Sequence, residues 1–407
     1  MIIDNLELND DKRYRIVEGD FIKINKWLLP LSWLYGMGSK LRNILFEMGV
    51  LKTRSFQIPV ISVGNITVGG TGKTPHVEYL VRLLKDQFRV AVLSRGYKRK
   101  SKGFIKANKQ TTMPEIGDEP YQMKQKFPGI TIAVDKNRCH GIDLLTEQDS
   151  KLDVILLDDA FQHRYVKPGI NILLVDYHRL IIYDKLLPAG RLREPLNGKD
   201  RADIVIVTKC PKDLKPMEYR VVTKAMHLYP YQRLYFTTLE YTALRPLFGK
   251  NKKNGPTLDS MNDTHVLLLT GIASPEQLVH DLSPFTSHLS PLTFADHHQF
   301  GKKDVHLIND KFAALPSPKL IITTEKDATR LNHVEGLSDE VKKNIYILPV
   351  HIIFMQDQQD TFNQQIRDYV RKNSRNSILA KGKDDHKSDN SNHSGDRPRT
   401  ISFRDNR

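Results

Sequence analysis

Gly69-Gly70-Thr71-Gly72-Lys73-Thr74 is the stretch whose reading decides the fold. It follows the β-branched run Pro59-Val60-Ile61-Ser62-Val63 and precedes a helical pattern over 76–85. Strand, glycine-rich turn and helix N-terminus in that order make a phosphate cradle, because only glycine lets backbone N–H donors come close to phosphate oxygens. Lys73 is placed to neutralise β- and γ-phosphates, and Thr74 to offer its hydroxyl to Mg²⁺. Thr67, Val68, Gly69, Gly70, Thr71, Gly72, Lys73 and Thr74 are therefore the expected nucleotide-binding residues. The strict pattern has glycine where Thr67 stands, so the first turn of this loop is expected to depart from the usual one.

Downstream, Asp153-Val154-Ile155-Leu156-Leu157-Asp158-Asp159 is an apolar strand ending in carboxylates. In a parallel sheet such a strand delivers its last residues to the carboxyl edge, where the phosphate loop also lies. Asp158 and Asp159 are accordingly the expected metal residues, and the spacing leaves open which of them touches Mg²⁺. Further short apolar runs at 90–93, 130–134, 170–175 and 204–207 alternate with helical stretches or loops. Runs of that length suit strands covered on both faces, which predicts a mainly parallel α/β sheet. A second set of strands follows at 266–269, 292–294, 320–323 and 345–348, and a helix over 362–370 closes the folded part.

These patterns divide the chain into a polar extension (1–19), an amphipathic helical segment (20–56), a phosphate-loop domain (57–230), a β connector (231–248), a second α/β domain (249–373) and a Ser/Asn/Asp/Lys-rich tail (374–407). The tail has too few apolar residues to offset its ordering entropy and is expected to be disordered. The segment 21–51 carries both tryptophans, Trp27 and Trp33, and apolar residues at helical spacing. Its longest uncharged window, 27–39, is too short to span a bilayer, and Pro30, Gly36 and Gly38 are expected to interrupt it. Two readings stand for it, a helix lying in a membrane interface and a helix docked on the protein body.

The formal net charge of +15 suits an anionic partner. Lys and Arg are spread along the chain without a nucleic-acid-binding motif, so no nucleic acid is expected. Two cysteines, Cys139 and Cys210, fit a reducing compartment, and the first residues lack a signal peptide's apolar core. A guanine-specific reading fails because Thr208-Lys209-Cys210 is followed by Pro211 where an aspartate is required. The residues alone thus leave two enzyme-like classes, an ATP-dependent kinase and a P-loop NTPase switch or metallochaperone. The second lacks the guanine motif and Cys/His clusters it calls for.

Eight blocks in one order resemble the tetraacyldisaccharide 4′-kinase family of Gram-negative bacteria. They are Leu29 to Tyr35, Ile61 to Pro75, Leu93-Ser94-Arg95-Gly96-Tyr97, Gly117-Asp118-Glu119-Pro120, Leu157 to His163, Pro188 to Pro195, Phe294 to His298, and Thr323-Thr324-Glu325-Lys326-Asp327-Ala328. The resemblance implies two α/β/α sandwich domains, the first P-loop NTPase-like, joined by a short two-stranded β linker. It implies transfer of the ATP γ-phosphate to the 4′-hydroxyl of an acylated glucosamine disaccharide 1-phosphate, with Mg²⁺, giving lipid IVA. It further implies peripheral attachment to the cytoplasmic face of the bacterial inner membrane through the N-terminal helix. Asp118 is then the base, paired with His297 across the two domains, beside Lys73. Arg95, Arg191 and Arg193 are candidates to grip phosphate, and Glu194 is a candidate addition to the metal shell.

Overall fold

The computed structural model describes residues 24–249, 255–273 and 275–374. The polar extension 1–19 and nearly all of the tail 374–407 lie outside the described residues. The larger sheet contains β1 (Val60–Gly64), β2 (Val90–Ser94), β3 (Ile105–Lys106), β4 (Thr131–Val134), β5 (Val154–Asp158), β6 (Ile170–Asp176), β7 (Ile204–Thr208), β8 (Arg233–Tyr241) and β14 (Val350–Phe354), in the order β14-β8-β7-β6-β1-β5-β2-β4-β3. It is parallel except at its edges, where β3 and β14 run antiparallel to their neighbours. The smaller sheet has β9 (Arg245–Pro246), β10 (His265–Thr270), β11 (Leu289–Thr293), β12 (Lys319–Thr324) and β13 (Ile345–Leu348), in the order β11-β10-β12-β13-β9. The runs of the larger sheet form strands buried on both faces, which is why they are apolar throughout, whereas the run 292–294 only overlaps the end of β11, an edge strand that is partly exposed.

β1 sits centrally between β5 and β6, with Val63 opposite Asp158. That register brings the phosphate loop and the strand-end carboxylates to one edge. Apolar side chains from β1, β5 and β6 pack with Val77, Leu80, Val81 and Leu84 of the helix Lys73–Leu84.

The connector differs from the expectation for 231–248. β8 is a full strand of the larger sheet, paired with β7, and its antiparallel partner is β14 rather than a segment within the connector. The chain thus leaves the first domain after β8 and returns after β13, and these two crossings are the two-stranded link. The helix Gln359–Asn373 also belongs with the first sheet, not the second: Phe362, Ile366 and Val370 are buried among Ile61, Tyr235 and Phe354. Phe354 and Phe362 stack with ring centroids 4.4 Å apart. Local periodicity defines a strand or helix but not the sheet it joins, which is why residues 350–373 were expected in the second domain.

The N-terminal helix runs unbroken over Leu29–Glu47. Pro30 lies in its first turn, where no N–H is needed. Gly36 marks a close approach, since a Cβ there would come 2.7 Å from Leu186 Cδ1. One face is docked: Ala189 N–H donates to Ser32 Oγ (2.8 Å), Tyr35 O–H to the Arg193 carbonyl (2.6 Å), and Phe46 is buried against Tyr165. The other face leaves Trp27 (92%), Trp33 (69%), Leu34, Met37, Leu41 and Met48 (71%) exposed. Among the described residues no helix is long and apolar enough to cross a membrane.

Truncating Phe362 in this packed aromatic cluster opens a large cavity. Phe362→Ala is expected to cost about 3–5 kcal/mol of stability. Urea unfolding followed by far-UV circular dichroism reads it, because both tryptophans lie on or beside the N-terminal helix. A loss below about 1 kcal/mol would remove this helix from the first domain's core.

Candidate functional site

The loop after β1 is shaped by what it cannot tolerate. A Cβ at Gly64 would lie 2.7 Å from Phe161 Cβ, and Gly69 and Gly72 adopt φ of 119° and 80°, where side chains are strained. Thr67 pairs in antiparallel fashion with Leu192, and the Val68 and Arg193 amides donate to the Arg191 and Ile66 carbonyls, each at 2.8 Å. This explains threonine in place of glycine: the backbone there is extended and needs no left-handed turn. It also corrects the expected cradle, since the Val68 amide is already used and Thr67 is part of the brace.

The central carbonyls are tied back. Lys209 donates to the Gly70 carbonyl, Thr208 Oγ1 to that of Thr71 (3.1 Å) and His76 Nδ1–H to that of Gly72 (2.8 Å). Burial pushes the His76 pKa down to about 4 against the opposing effect of its Gly72 hydrogen bond, so the ring is neutral, with Nε2 facing Thr237 Oγ1. The amides of Gly69, Gly70, Thr71 and Gly72 donate no hydrogen bond within the described residues. Unspent amides at a helix N-terminus, with Lys73 beside them, form an anion cradle.

The two aspartates after β5 differ. Asp159, in the left-handed region at φ 47°, faces Lys73 Nζ at 3.6 Å and Arg193 Nη1 at 3.7 Å. Asp158 is fully buried and neither carboxylate oxygen has a hydrogen-bond partner among the described residues. Burial, then the charges of Glu119 and Asp159, push its pKa up to about 7, with Lys73 and Arg138 opposing. A buried carboxylate without a hydrogen-bond partner has the oxygen chemistry that a cation would take. Among the described residues no group of three His, Cys, Asp or Glu is arranged to hold a metal. Mg²⁺ commonly takes one or two carboxylates and completes its shell with phosphate and water. Asp158, Asp159 and the Thr74 hydroxyl fit that incomplete, all-oxygen set.

The second domain faces this edge. Asp118 opens the helix Asp118–Lys126 but does not cap it; Gly117 occupies the cap, at φ 90° and packed on the Tyr97 carbonyl. The Asp118 side chain instead reaches across. Its Oδ2 accepts from Arg330 Nε at 2.8 Å and lies 3.3 Å from His297 Nδ1. His297 Nε2 is 3.1 Å from the Lys326 ammonium, and Nδ1 lies 3.3 Å from both Asp118 Oδ2 and Arg330 Nη2; Asp118 is the acceptor in this group and takes the ring N–H when the proton is on Nδ1. Burial favours the protonated acid, but the His297 hydrogen bond and the Arg330 charge outweigh it and hold Asp118 below the ordinary carboxylate range. Farther along, Lys126 joins Glu78 of the loop helix (2.6 Å) to Glu325 of the second domain (2.7 Å).

The remaining arginines differ in placement. The Arg191 guanidinium reaches over the loop, 3.9 Å from where a Gly69 Cβ would stand, and Arg193 is at Asp159. Arg95 is exposed and makes no ion pair among the described residues, though its charge is felt by His163 and Arg138. Glu194 is corrected: it is buried in an ion pair with Arg201 (2.9 Å) and packed against Gly198, which takes its carboxylate out of the metal set. Sequence reasoning missed Arg330. The one available signal was its position three residues after Asp327 on the helix Glu325–Leu331, two residues beyond the block Thr323 to Ala328 that carries the family resemblance.

A glycine cradle with Lys-Thr, and strand-end aspartates beside it on a parallel sheet, define a P-loop nucleotide-dependent protein. Residues 24–371 match the family model for tetraacyldisaccharide-1-P 4′-kinase, and the chain belongs to that family. It is 62% identical to the tetraacyldisaccharide 4′-kinase of Phocaeicola vulgatus, over 89% of this chain and 99% of that protein. Its identity to the enzyme of the same name from Bacteroides thetaiotaomicron is 54%, over 90% of this chain and 99% of the other. A crystal structure of LpxK from Aquifex aeolicus, described as the "apo" form in complex with ATP, superimposes with a TM-score of 0.65 at 30% identity, covering 84% of this chain and 98% of that one.

Asp158 carries a pH signature. The unfolded chain releases its proton near the ordinary 3.8, whereas the fold holds it to about 7. Folding stability from this group therefore falls as pH rises between those values and stays low above them. Asp158→Asn removes the dependence, so its gain over the parent protein should be smallest at pH 4 and largest at pH 7 and above. Urea unfolding at both pH values measures it. A gain independent of pH would mean the carboxyl titrates as it does in water.

Proposed function

We propose that this chain transfers the γ-phosphate of ATP to the 4′-hydroxyl of tetraacyldisaccharide 1-phosphate, forming lipid IVA in lipid A biosynthesis. The observation that carries the reading is the pairing of an unspent amide cradle with an ionised, buried Asp118 held by the facing domain. The free amides and Lys73 bind the β- and γ-phosphates, and Arg191 and Arg193 supply positive charge at the loop. Asp158, Asp159 and Thr74 would hold Mg²⁺, which when bound would neutralise charge on the phosphate oxygens. The sugar 4′-oxygen attacks the γ-phosphorus, the bond to ADP breaks, and the hydroxyl proton passes to Asp118. Oδ2 is engaged by the second domain, while Oδ1 makes no hydrogen bond among the described residues and is the oxygen available for that proton. Arg95, exposed after β2, supplies a further guanidinium for phosphate, on the nucleotide or at the sugar's 1-position.

The lipid substrate accounts for the N-terminal helix. A docked helix with an apolar outer face rests in the headgroup region of a bilayer, on the cytoplasmic face of the inner membrane where ATP is present.

The assay is purified protein with detergent-dispersed disaccharide 1-phosphate, Mg²⁺ and γ-labelled ATP. Label is expected on the glycolipid, and Lys73→Ala and Asp118→Ala should each lose at least about 10²-fold in rate. Label found only as free phosphate would favour an NTPase switch instead. For membrane contact, Trp33→Glu with Leu41→Glu places charges on the exposed face. Sedimentation with anionic vesicles should fall at least about tenfold, and undiminished binding would exclude this helix as the contact.

A further inference from the structure

Arg330 has a burial and a set of partners that the reaction as written does not use. Its side chain is 1% exposed, in the second domain, on the helix Glu325–Leu331. Nη1 donates to Asp327 Oδ1 at 2.9 Å and lies 3.4 Å from the Gly271 carbonyl. Asp327 is itself fully buried and rooted, its Oδ2 accepting from the Gly271 amide (2.9 Å) and Thr324 Oγ1 (2.7 Å). The remaining edge of the guanidinium, Nε and Nη2, meets a single atom of the other domain, Asp118 Oδ2, with both nitrogens at 2.8 Å. A planar fork fixed on one side by its own domain dictates the orientation of a carboxylate met on the other.

We propose that Arg330 is a positioning residue for phosphoryl transfer: rooted through Asp327, it captures Asp118 Oδ2 when the two domains dock and so turns Oδ1 toward the acceptor hydroxyl. This rests on the kinase reading above. The donors on Oδ2, from His297 and Arg330, all come from the second domain. Undocked, Asp118 keeps its place on its own helix but loses its rotamer and its neutralising charge. Docking thus completes the base rather than merely closing over it. Lys326, 3.7 Å from Glu119, and the Lys126–Glu325 pair lie on the same two facing helices and align the same approach.

The test uses the full chain with ATP and the disaccharide 1-phosphate, measuring kcat and both KM values. Arg330→Lys keeps the charge and removes the fork. It should lower kcat at least about tenfold with KM for ATP changed less than about twofold, because the nucleotide sits in the other domain. In an Asp118→Asn background, followed under single-turnover conditions, the same substitution should cost less than about twofold further, since it acts through the carboxylate already removed. Multiplicative losses, an unchanged kcat, or a rise confined to KM would overturn the proposal. If Arg330→Lys does not fold, judged by its circular dichroism and melting, Asp327→Asn frees the guanidinium from its root and is read against the same two outcomes. Failure of the underlying kinase reading would look different: the parent protein would not label the glycolipid, or Asp118→Asn would be fully active.

Discussion

The site depends on a constraint borne by backbone carbonyls. A loop can present a row of N–H groups to phosphate only if its opposite side is held. Here Gly70, Thr71 and Gly72 have their carbonyls tied to Lys209, Thr208 and His76, and the outer strand of the loop is zipped to residues 191–193. Those anchors come from β7, from the loop helix and from the segment preceding β7, so the cradle exists because the sheet is assembled around β1. His76 carries the connection further, its Nε2 meeting Thr237 on β8, the strand that leads into the second domain.

The second domain contributes charge where the first would otherwise have too little. Asp118 is buried, and an isolated buried carboxylate would favour its proton. Arg330 and His297 reverse that preference from across the cleft. Asp158 shows the opposite case at the same edge: more deeply buried and without a hydrogen-bonded partner, it holds its proton to about pH 7. Two carboxylates with divergent proton affinities suit two different tasks, one accepting a proton and one receiving a cation. Removing either partner of the buried Asp118–Arg330 pair leaves an uncompensated charge.

The N-terminal helix has one face docked on the protein body and another left exposed. Ser32, Tyr35, Asn43 and Phe46 are committed to the protein body, while Trp27, Trp33, Leu41 and Met48 are not. Amphipathic spacing alone points to the wrong stripe, because the face that meets protein carries Ser32 and Asn43 while the more apolar face is exposed. Only the position of Leu186 against Gly36 and of Arg164 over Phe46 decides it.

Much of the first domain was legible in order along the chain. Gly-Lys-Thr after a β-branched run, and paired aspartates ending a later one, carry their geometry locally: a strand's end, a turn that requires glycine, a helix's start. The strands, the parallel sheet and the placement of Lys73 and both aspartates at one sheet edge follow from that chemistry. The return of residues 350–373 to the first domain, the engagement of Glu194 by Arg201, and the fork of Arg330 on Asp118 were not legible. The first and last join residues far apart in the chain, 212 positions in the last case, while Glu194 and Arg201 are seven apart but meet only through the fold of the loop between them. Local sequence determines backbone conformation because sterics and hydrogen bonding act between near neighbours. Which charge meets which across a cleft is decided only when the two sheets are packed and water is excluded between them.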